Sequence, residues 1–245
     1  MSPTIGISSF FRGLSLLTNP KLRPFVIIPL TINILLFSVL TYSAFLYFGG
    51  LVDWLMSFLP TWLSFLNWLL WPLFAIATAI IVFYSFNLAC NLLAAPFNGY
   101  LSEKVEEYLT GEQKEEAFSW QEIAKLAPRS FARELSKLAY YLPRALIIFL
   151  ITLIPIIDLI APFLWFGFGA WMAALQYIDY PMDNHSISFK DMMNELRGRR
   201  MTSYSFGSLV MIFTMIPIIN LVVMPASVVG ATIIWTENIK SQKYS

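Results

Sequence analysis

Charge is scarce in this chain. Of its 245 residues only 13% are charged while 58% are hydrophobic, and the mean hydropathy is +0.66. Soluble domains average about a quarter charged and about half apolar, so the composition argues against a soluble globular enzyme. It argues equally against disorder, which needs low hydrophobicity and high net charge. The formal net charge of +1 supplies no field to hold nucleic acid. Cysteine is reduced to Cys90, inside an apolar run, so no intrachain disulfide can form and Cys90 reads as a packing residue. Histidine is reduced to His185. A metal centre needs more ligands at suitable spacing, and hydrolysis needs a nucleophile beside a base. Asp183 and His185 could hold a metal only with help from elsewhere, and their simpler reading is a polar turn at a membrane surface. There is no phosphate-binding glycine loop, and Gly167-Phe168-Gly169 reads as close helix packing. No cofactor, metal or catalytic residue is expected.

What the chain has in abundance is uncharged length. Arg12, Lys21 and Arg23 are the only charges before Asp53, and none lies between Pro24 and Val52. A membrane span takes about 20 apolar residues, so this run suffices. It is too long for a secretory signal and no small-residue cleavage site closes it. The next uncharged run, Trp54–Ser102, is punctuated by Pro60 and Pro72. Trp54, Trp62, Trp68 and Trp71 suit headgroup depth, which leaves a second span from about Pro72 to Ala95, with Pro72 at its first helical position.

Glu103–Arg144 is different material, with fifteen of the 31 charged residues, eight acidic and seven basic. Glu103, Lys104, Glu106 and Glu107 continue the second helix into water, and Thr110-Gly111 stops it. Ser119–Tyr141 reads as a second polar helix, with Glu122, Lys125, Arg129, Arg133 and Lys137 at helical spacing. The pair forms a polar helical hairpin projecting from a single membrane domain, and most of its charges read as a solvated face.

Two further apolar segments are interrupted. Ala145–Ile178 is broken around Pro155 and Pro162, and Met201–Thr236 at Pro217, Asn220 and Pro225. The interruptions resemble each other: Ile154-Pro155-Ile156-Ile157-Asp158-Leu159 is answered by Ile216-Pro217-Ile218-Ile219-Asn220-Leu221. Paired interruptions point to discontinuous helices and a transport site. Each segment is either one kinked span or a re-entrant hairpin, and irregular backbone at membrane depth must be buried in protein or face water. The short half-helices favour hairpins with turns at Asp158 and Asn220, near the midplane. The fold expected is therefore all-α: two long transmembrane helices, two half-penetrating helical hairpins and the polar hairpin. The loop Asp53–Trp71 carries no Lys or Arg, as an external loop should.

Asn19-Pro20-Lys21-Leu22-Arg23 opens the first long helix. Asn19 suits an N-cap and Pro20 the first helical position. The N–H groups of Lys21, Leu22 and Arg23 would point outwards, where they can bind an anion. Cations at this end oppose the helix dipole, which makes sense if an anion completes the site. A lipid phosphate would serve as well as a solute.

These segments also carry a resemblance. Asn19-Pro20-Lys21-Leu22-Arg23 with Phe25–Leu30, Ala94–Gly99 with Leu109-Thr110-Gly111, Tyr141–Ala145, Gln176–His185 and Phe213–Pro217 occur in the order seen in the CysZ family of bacterial sulfate permeases, and the chain resembles that family from about Phe10 to Trp235. The resemblance implies an inner-membrane, homo-oligomeric protein supplying sulfate for cysteine biosynthesis, inserted in either orientation. It places sulfate at a Leu/Ile-Arg-Arg-Phe stretch after a proline. Here that stretch is Leu22-Arg23-Pro24-Phe25, so Arg23 matches the first arginine and Pro24 replaces the second. Lys21, Leu22 and Arg23 are the expected sulfate-binding residues, with Lys21 acting as a point charge rather than a planar fork. Farther in, Arg129, Arg133 and Arg144 with Glu103 and Glu134 are expected to form a partly paired network along the permeation path, since an unrelieved positive path would trap the anion. With no nucleotide-binding motif, gradients would drive the flux. Two other readings stay open: an adaptor binding protein or lipid through the charged hairpin, and a membrane-embedded enzyme using Asp179, Asp183 and His185.

Overall fold

The computed structural model describes residues 2–20, 22–58, 60, 67–112, 119–155 and 157–243. Among them every element is helical. Helix α1 spans Pro3–Leu16, α2 Arg23–Ser57, α3 Asn67–Thr110, α4 Trp120–Thr152, α5 Ala161–Asn184, α6 Phe189–Gly198, α7 Arg200–Thr214 and α8 Pro217–Ile234. One 3-10 turn, Ile157–Ile160, precedes α5, and a π-helical turn, Trp235–Lys240, prolongs α8.

Local chemistry accounts for the ends. Ser2, Ser119 and Ser188 cap α1, α4 and α6 by accepting from Thr4, Glu122 and Asp191 N–H groups. Glu122 and Asp191 also place a carboxylate in the first turn, where the dipole favours it. Gly111 follows α3 at φ +76°, a left-handed conformation that glycine adopts without a Cβ penalty, so the expected stop at Thr110-Gly111 is where α3 ends.

The chain divides into two compact units, residues 29–94 and residues 1–28 with 95–245. The first is the apolar part of α2 and α3. At about 1.5 Å per residue the whole helices, of 35 and 44 residues, measure roughly 52 and 66 Å, beyond the ~30 Å hydrocarbon core. Leu35, Val39, Tyr47 and Ile76 are exposed along them, as lipid-facing residues are. Trp54, Trp68 and Trp71 are exposed too, while Trp62 lies outside the described residues. Pro72 does not start α3; the helix begins five residues earlier, at Asn67.

The second unit packs α1 and α4–α8. Here α4 and α5 form an antiparallel hairpin: Arg129 meets Asp183, Arg133 meets Asp179, Tyr140 meets Trp171 and Tyr141 stacks on Phe168. Helix α7 runs antiparallel to α5, with Gly207 against the Ala170 backbone and Gly169 against Met211. A Cβ on Gly207 would overlap the Ala170 carbonyl, so this crossing depends on glycine. Because α4 and α7 both run opposite to α5, the α4–α5 and α7–α8 turns lie at the same end of the unit. Leu153, Ile154, Leu159 and Phe163 at one tip and Met215 and Ile216 at the other are exposed apolar side chains. The core between the helices is built on Phe10, Trp171, Leu175, Phe206, Ile234 and Trp235.

Three boundaries differ from the sequence reading. The polar helix does not stop at Tyr141. It continues as α4 to Thr152, with Pro128 and Pro143 inside it, because its packing against α5 outweighs two missing backbone donors. The turns fall at 153–155 and 215–216, a few residues before the expected points, so Asp158 sits in the 3-10 turn and Asn220 in the first turn of α8. Asp179–Asn184 is no surface turn; it is the end of α5, with Pro181 inside the helix. Among the described residues three stretches are long and apolar enough to cross a membrane: Trp120–Thr152, Ile157–Asn184 and Val222–Lys240.

Candidate functional site

The end of the second unit opposite the apolar tips holds a buried charged network. On α4, Arg129, Arg133 and Lys137 recur every four residues, so they line one helix face. On α5, Asp183, Asp179 and Gln176 line the facing stripe. Arg133 holds Asp179 through Nη2 at 2.7 Å and Nε at 2.8 Å, and Lys137 Nζ reaches the other Asp179 oxygen at 3.1 Å. Asp179 is wholly buried and the Lys137 side chain is 4% exposed. Lys137 also donates to Glu134 Oε1 at 2.8 Å, and Glu134 accepts from Gln176 Nε2 at 3.1 Å and Tyr180 Oη at 3.3 Å. Asn98 of α3 donates to Tyr180 Oη, and Asn184 donates to the Gly99 carbonyl, tying α3 to the cluster. At the outer edge Arg129, 41% exposed, bonds Asp183 Oδ1 at 3.1 Å, the Asp183 carbonyl and Ser186 Oγ.

Three cations therefore face three carboxylates. Burying such charges costs several kcal/mol each, which mutual attraction repays only when hydrogen bonds satisfy the remaining atoms. The amide and phenol groups around Glu134 do this for its carboxylate, whereas Asp179 Oδ2 and Arg133 Nη2 make ion-pair contacts without a hydrogen bond. Such a network need not add net stability, but it fixes which side chains face each other, and so the register of α4 on α5. A polar cleft lined by Ser130, Arg133, Lys137, Asp179 and Asp183 opens beside it.

Of the residues expected along a permeation path, Arg129, Arg133 and Glu134 come together here. Arg144 does not join them: its guanidinium lies 3.6 Å from the centre of the Tyr140 ring and donates to the Tyr140 carbonyl. Glu103 stands on an exposed face of α3. Most of this charge run was expected on a solvated face, and Arg133, Glu134 and Lys137 depart from that because α5 covers them. Sequence reasoning missed Lys137, Gln176 and Tyr180 as members, and named Asp179 only for an embedded enzyme. The available signal was the match between the basic i, i+4, i+8 stripe and the acidic i, i+4 pair Asp179 and Asp183.

At the expected sulfate site Lys21 lies outside the described residues. The Leu22 side chain is buried among Tyr100, Leu101, Tyr180 and Ile233. The Leu22 and Arg23 N–H groups do not point outwards: both donate to the Asn19 carbonyl, at 3.1 and 3.2 Å, because the chain makes a tight turn before α2. Arg23 is exposed and its Nε donates to the Thr18 carbonyl. An anion at this turn would therefore meet side chains rather than those two amides.

His185 and Asp183 face different partners. His185 Nε2 lies 2.8 Å from Glu106 Oε1, and Lys240 Nζ reaches the same oxygen at 2.8 Å from the π-helical turn. Burial pushes the Glu106 carboxyl up, but the hydrogen bonds from His185 and Lys240 outweigh it and hold it below the usual glutamate range. The π-helical turn also presents Glu237 to Arg12 in a two-pronged pair at 2.7 Å, fastening α1.

The sequence profile described as sulfate transporter CysZ/etoposide-induced protein 2.4 matches residues 9–225. A sulfate transporter CysZ of Pseudomonas fluorescens Pf0-1 is 46% identical over 248 aligned residues, covering 99% of both chains. That of Pseudomonas aeruginosa LESB58 is 48% identical over 91% of both. That of Vibrio atlanticus is 44% identical over 98% of this chain and 95% of its own. With an all-helical architecture among the described residues, long apolar helices and similarity along nearly its whole length, the chain belongs to the sulfate transporter CysZ/etoposide-induced protein 2.4 family.

Proposed function

We propose that the protein is a sulfate permease of the bacterial inner membrane that supplies cysteine biosynthesis, acting as a homo-oligomer. The observation carrying this reading is identity of 44–48% to relatives named sulfate transporters, across almost their entire lengths. Helices α2 and α3 act as the two full spans. The α4–α5 and α7–α8 hairpins enter the bilayer only part-way. From Arg144 to the end of α4 at Thr152 is about 12 Å of helix, less than half the hydrocarbon core. Helix α7, with 15 residues, reaches only about 22 Å. Exposed apolar tips at one end and charge at the other support that placement.

Sulfate is strongly hydrated, so its path must replace water with fixed donors. Lys21 and Arg23 collect the anion at the turn before α2. Arg129, the most exposed cation of the buried network, then offers its guanidinium, with Arg133 and Lys137 behind it. The opposing carboxylates keep residence brief, because an anion binds only by competing with Asp179 and Asp183 for those cations. Arg144 and Glu103 flank this route. The α4 face that an adaptor would leave free is spent on α5, which favours transport over docking.

The test is flux of radiolabelled sulfate into proteoliposomes carrying the Arg23→Ala and Arg129→Ala variants. Both are exposed, so folding should survive. Each should lower initial flux several-fold. Unchanged flux in both would remove these residues from the path.

A further inference from the structure

The wall of the second unit between α4, α5 and α7 holds a cleft of about 510 Å³ that the transport reading does not use. Its sides are aromatic, with Phe163, Phe168, Trp171 and Tyr204, and its lower end is lined by Arg197 and Arg200. Phe163 belongs to the exposed apolar tip and is 77% accessible, whereas the arginines sit at the α6–α7 junction, at the charged end. From Trp171 to Phe163 the cleft climbs on the order of 12 Å along α5. The cleft is open at Gly167, where a Cβ would meet nothing within 4 Å. The Gly167-Phe168-Gly169 stretch is thus only half a packing motif: Gly169 meets Met211 and Gly167 faces the cleft.

The two arginines have work still to do. Arg199, between them, pairs with Glu195 and donates to Gln242. Among the described residues Arg197 and Arg200 make no ion pair or hydrogen bond through their side chains, and the cleft contains no carboxylate. Two unpaired guanidinium groups below an apolar, aromatic slot form an amphiphilic site. A free sulfate or phosphate would use the lower end and leave the slot unfilled. A second copy of this chain would have to bring carboxylates to the arginines.

We propose that this cleft binds an anionic phospholipid, its phosphate held by Arg197 and Arg200 and one acyl chain lying over Gly167 towards Phe163. The headgroup then sits at the interface and the chain points into the bilayer. That orientation rests on the hairpin placement given above, but not on sulfate transport. Arginine suits the phosphate because its planar fork makes two parallel hydrogen bonds, and basic pockets beside membrane helices are recognised anionic-lipid sites.

Native mass spectrometry of the full chain in detergent tests this, with phosphatidylglycerol, phosphatidylcholine or inorganic phosphate added. Phosphatidylglycerol should be retained at least 10-fold better than phosphatidylcholine. The double variant Arg197→Ala/Arg200→Ala should weaken it roughly 30-fold, about the attraction of two basic side chains at an anionic surface. Gly167→Phe, whose Cβ meets nothing within 4 Å, should fill the slot and displace the lipid while leaving thermal stability intact. Equal retention of both lipids, retention unaffected by both variants, or phosphate competing as well as the lipid would overturn the site. So would variants that change only the oligomeric mass, which would assign the cleft to a second copy.

Discussion

Asp179 is the most tightly enclosed charge among the described residues. It has no exposed surface and is held by Arg133 and Lys137 together. Removing one member of a buried ionic network strands its partners, at a cost of about 3–5 kcal/mol. Asp179→Ala should therefore destabilise the purified protein by about that much in thermal unfolding, with Arg129→Ala, at the exposed edge, within about 1 kcal/mol of wild type. Similar small losses for both would show that the network is solvated. Glu106 behaves differently with pH. Its carboxyl lies below the ordinary value, so its stabilisation is present above that value and is lost as pH falls through the folded one. Glu106→Gln should remove about 2 kcal/mol at neutral pH and flatten the acid limb of the stability curve. An acid limb of unchanged steepness would contradict the pairing. Sequence made Arg129, Arg133 and Glu134 legible as a group. Asp179 and Lys137 were not, because only the apposition of α4 and α5 turns two surface-like stripes into a buried one. Leu22 and Arg23 were expected to turn their N–H groups outwards, but the use of those groups depends on a tertiary turn that no local pattern displays.

At the scale of the element, the interrupted segments carry the prediction. If the α4–α5 and α7–α8 hairpins enter the membrane only part-way, cysteines at Asp158 and Asn220, with Cys90 removed, should react poorly with a bulky charged thiol reagent from the face opposite Lys190. Free reaction of both from that face would make them full spans. The crossing at Gly207 gives a second check: Gly207→Leu should disrupt packing against Ala170 and shorten the life of the folded protein in detergent. Proline patterning in the sequence located both interruptions to within a few residues. It missed the turns themselves because proline is tolerated inside α4, α5 and α8, where tertiary contacts compensate for the lost donor. The same tolerance made α4 one helix where composition suggested two.

For the whole molecule, charge scarcity and uncharged length revealed a helical membrane protein before any contact was known, because the hydrocarbon core imposes length and polarity on every spanning element. Composition could not distinguish a full span from a half-span in the second unit, since α4, α5 and α8 all satisfy length and hydropathy. In the proposed reading, position relative to the charged network makes the distinction, and the thiol labelling above tests it. The direct test of sulfate permeation is uptake of radiolabelled sulfate into liposomes containing only this protein. An outward-to-inward sulfate gradient alone should give uptake above protein-free liposomes, saturable and reduced several-fold by Arg129→Ala. Uptake equal to protein-free liposomes, under both a sulfate gradient and a pH gradient, would contradict sulfate permeation by this chain.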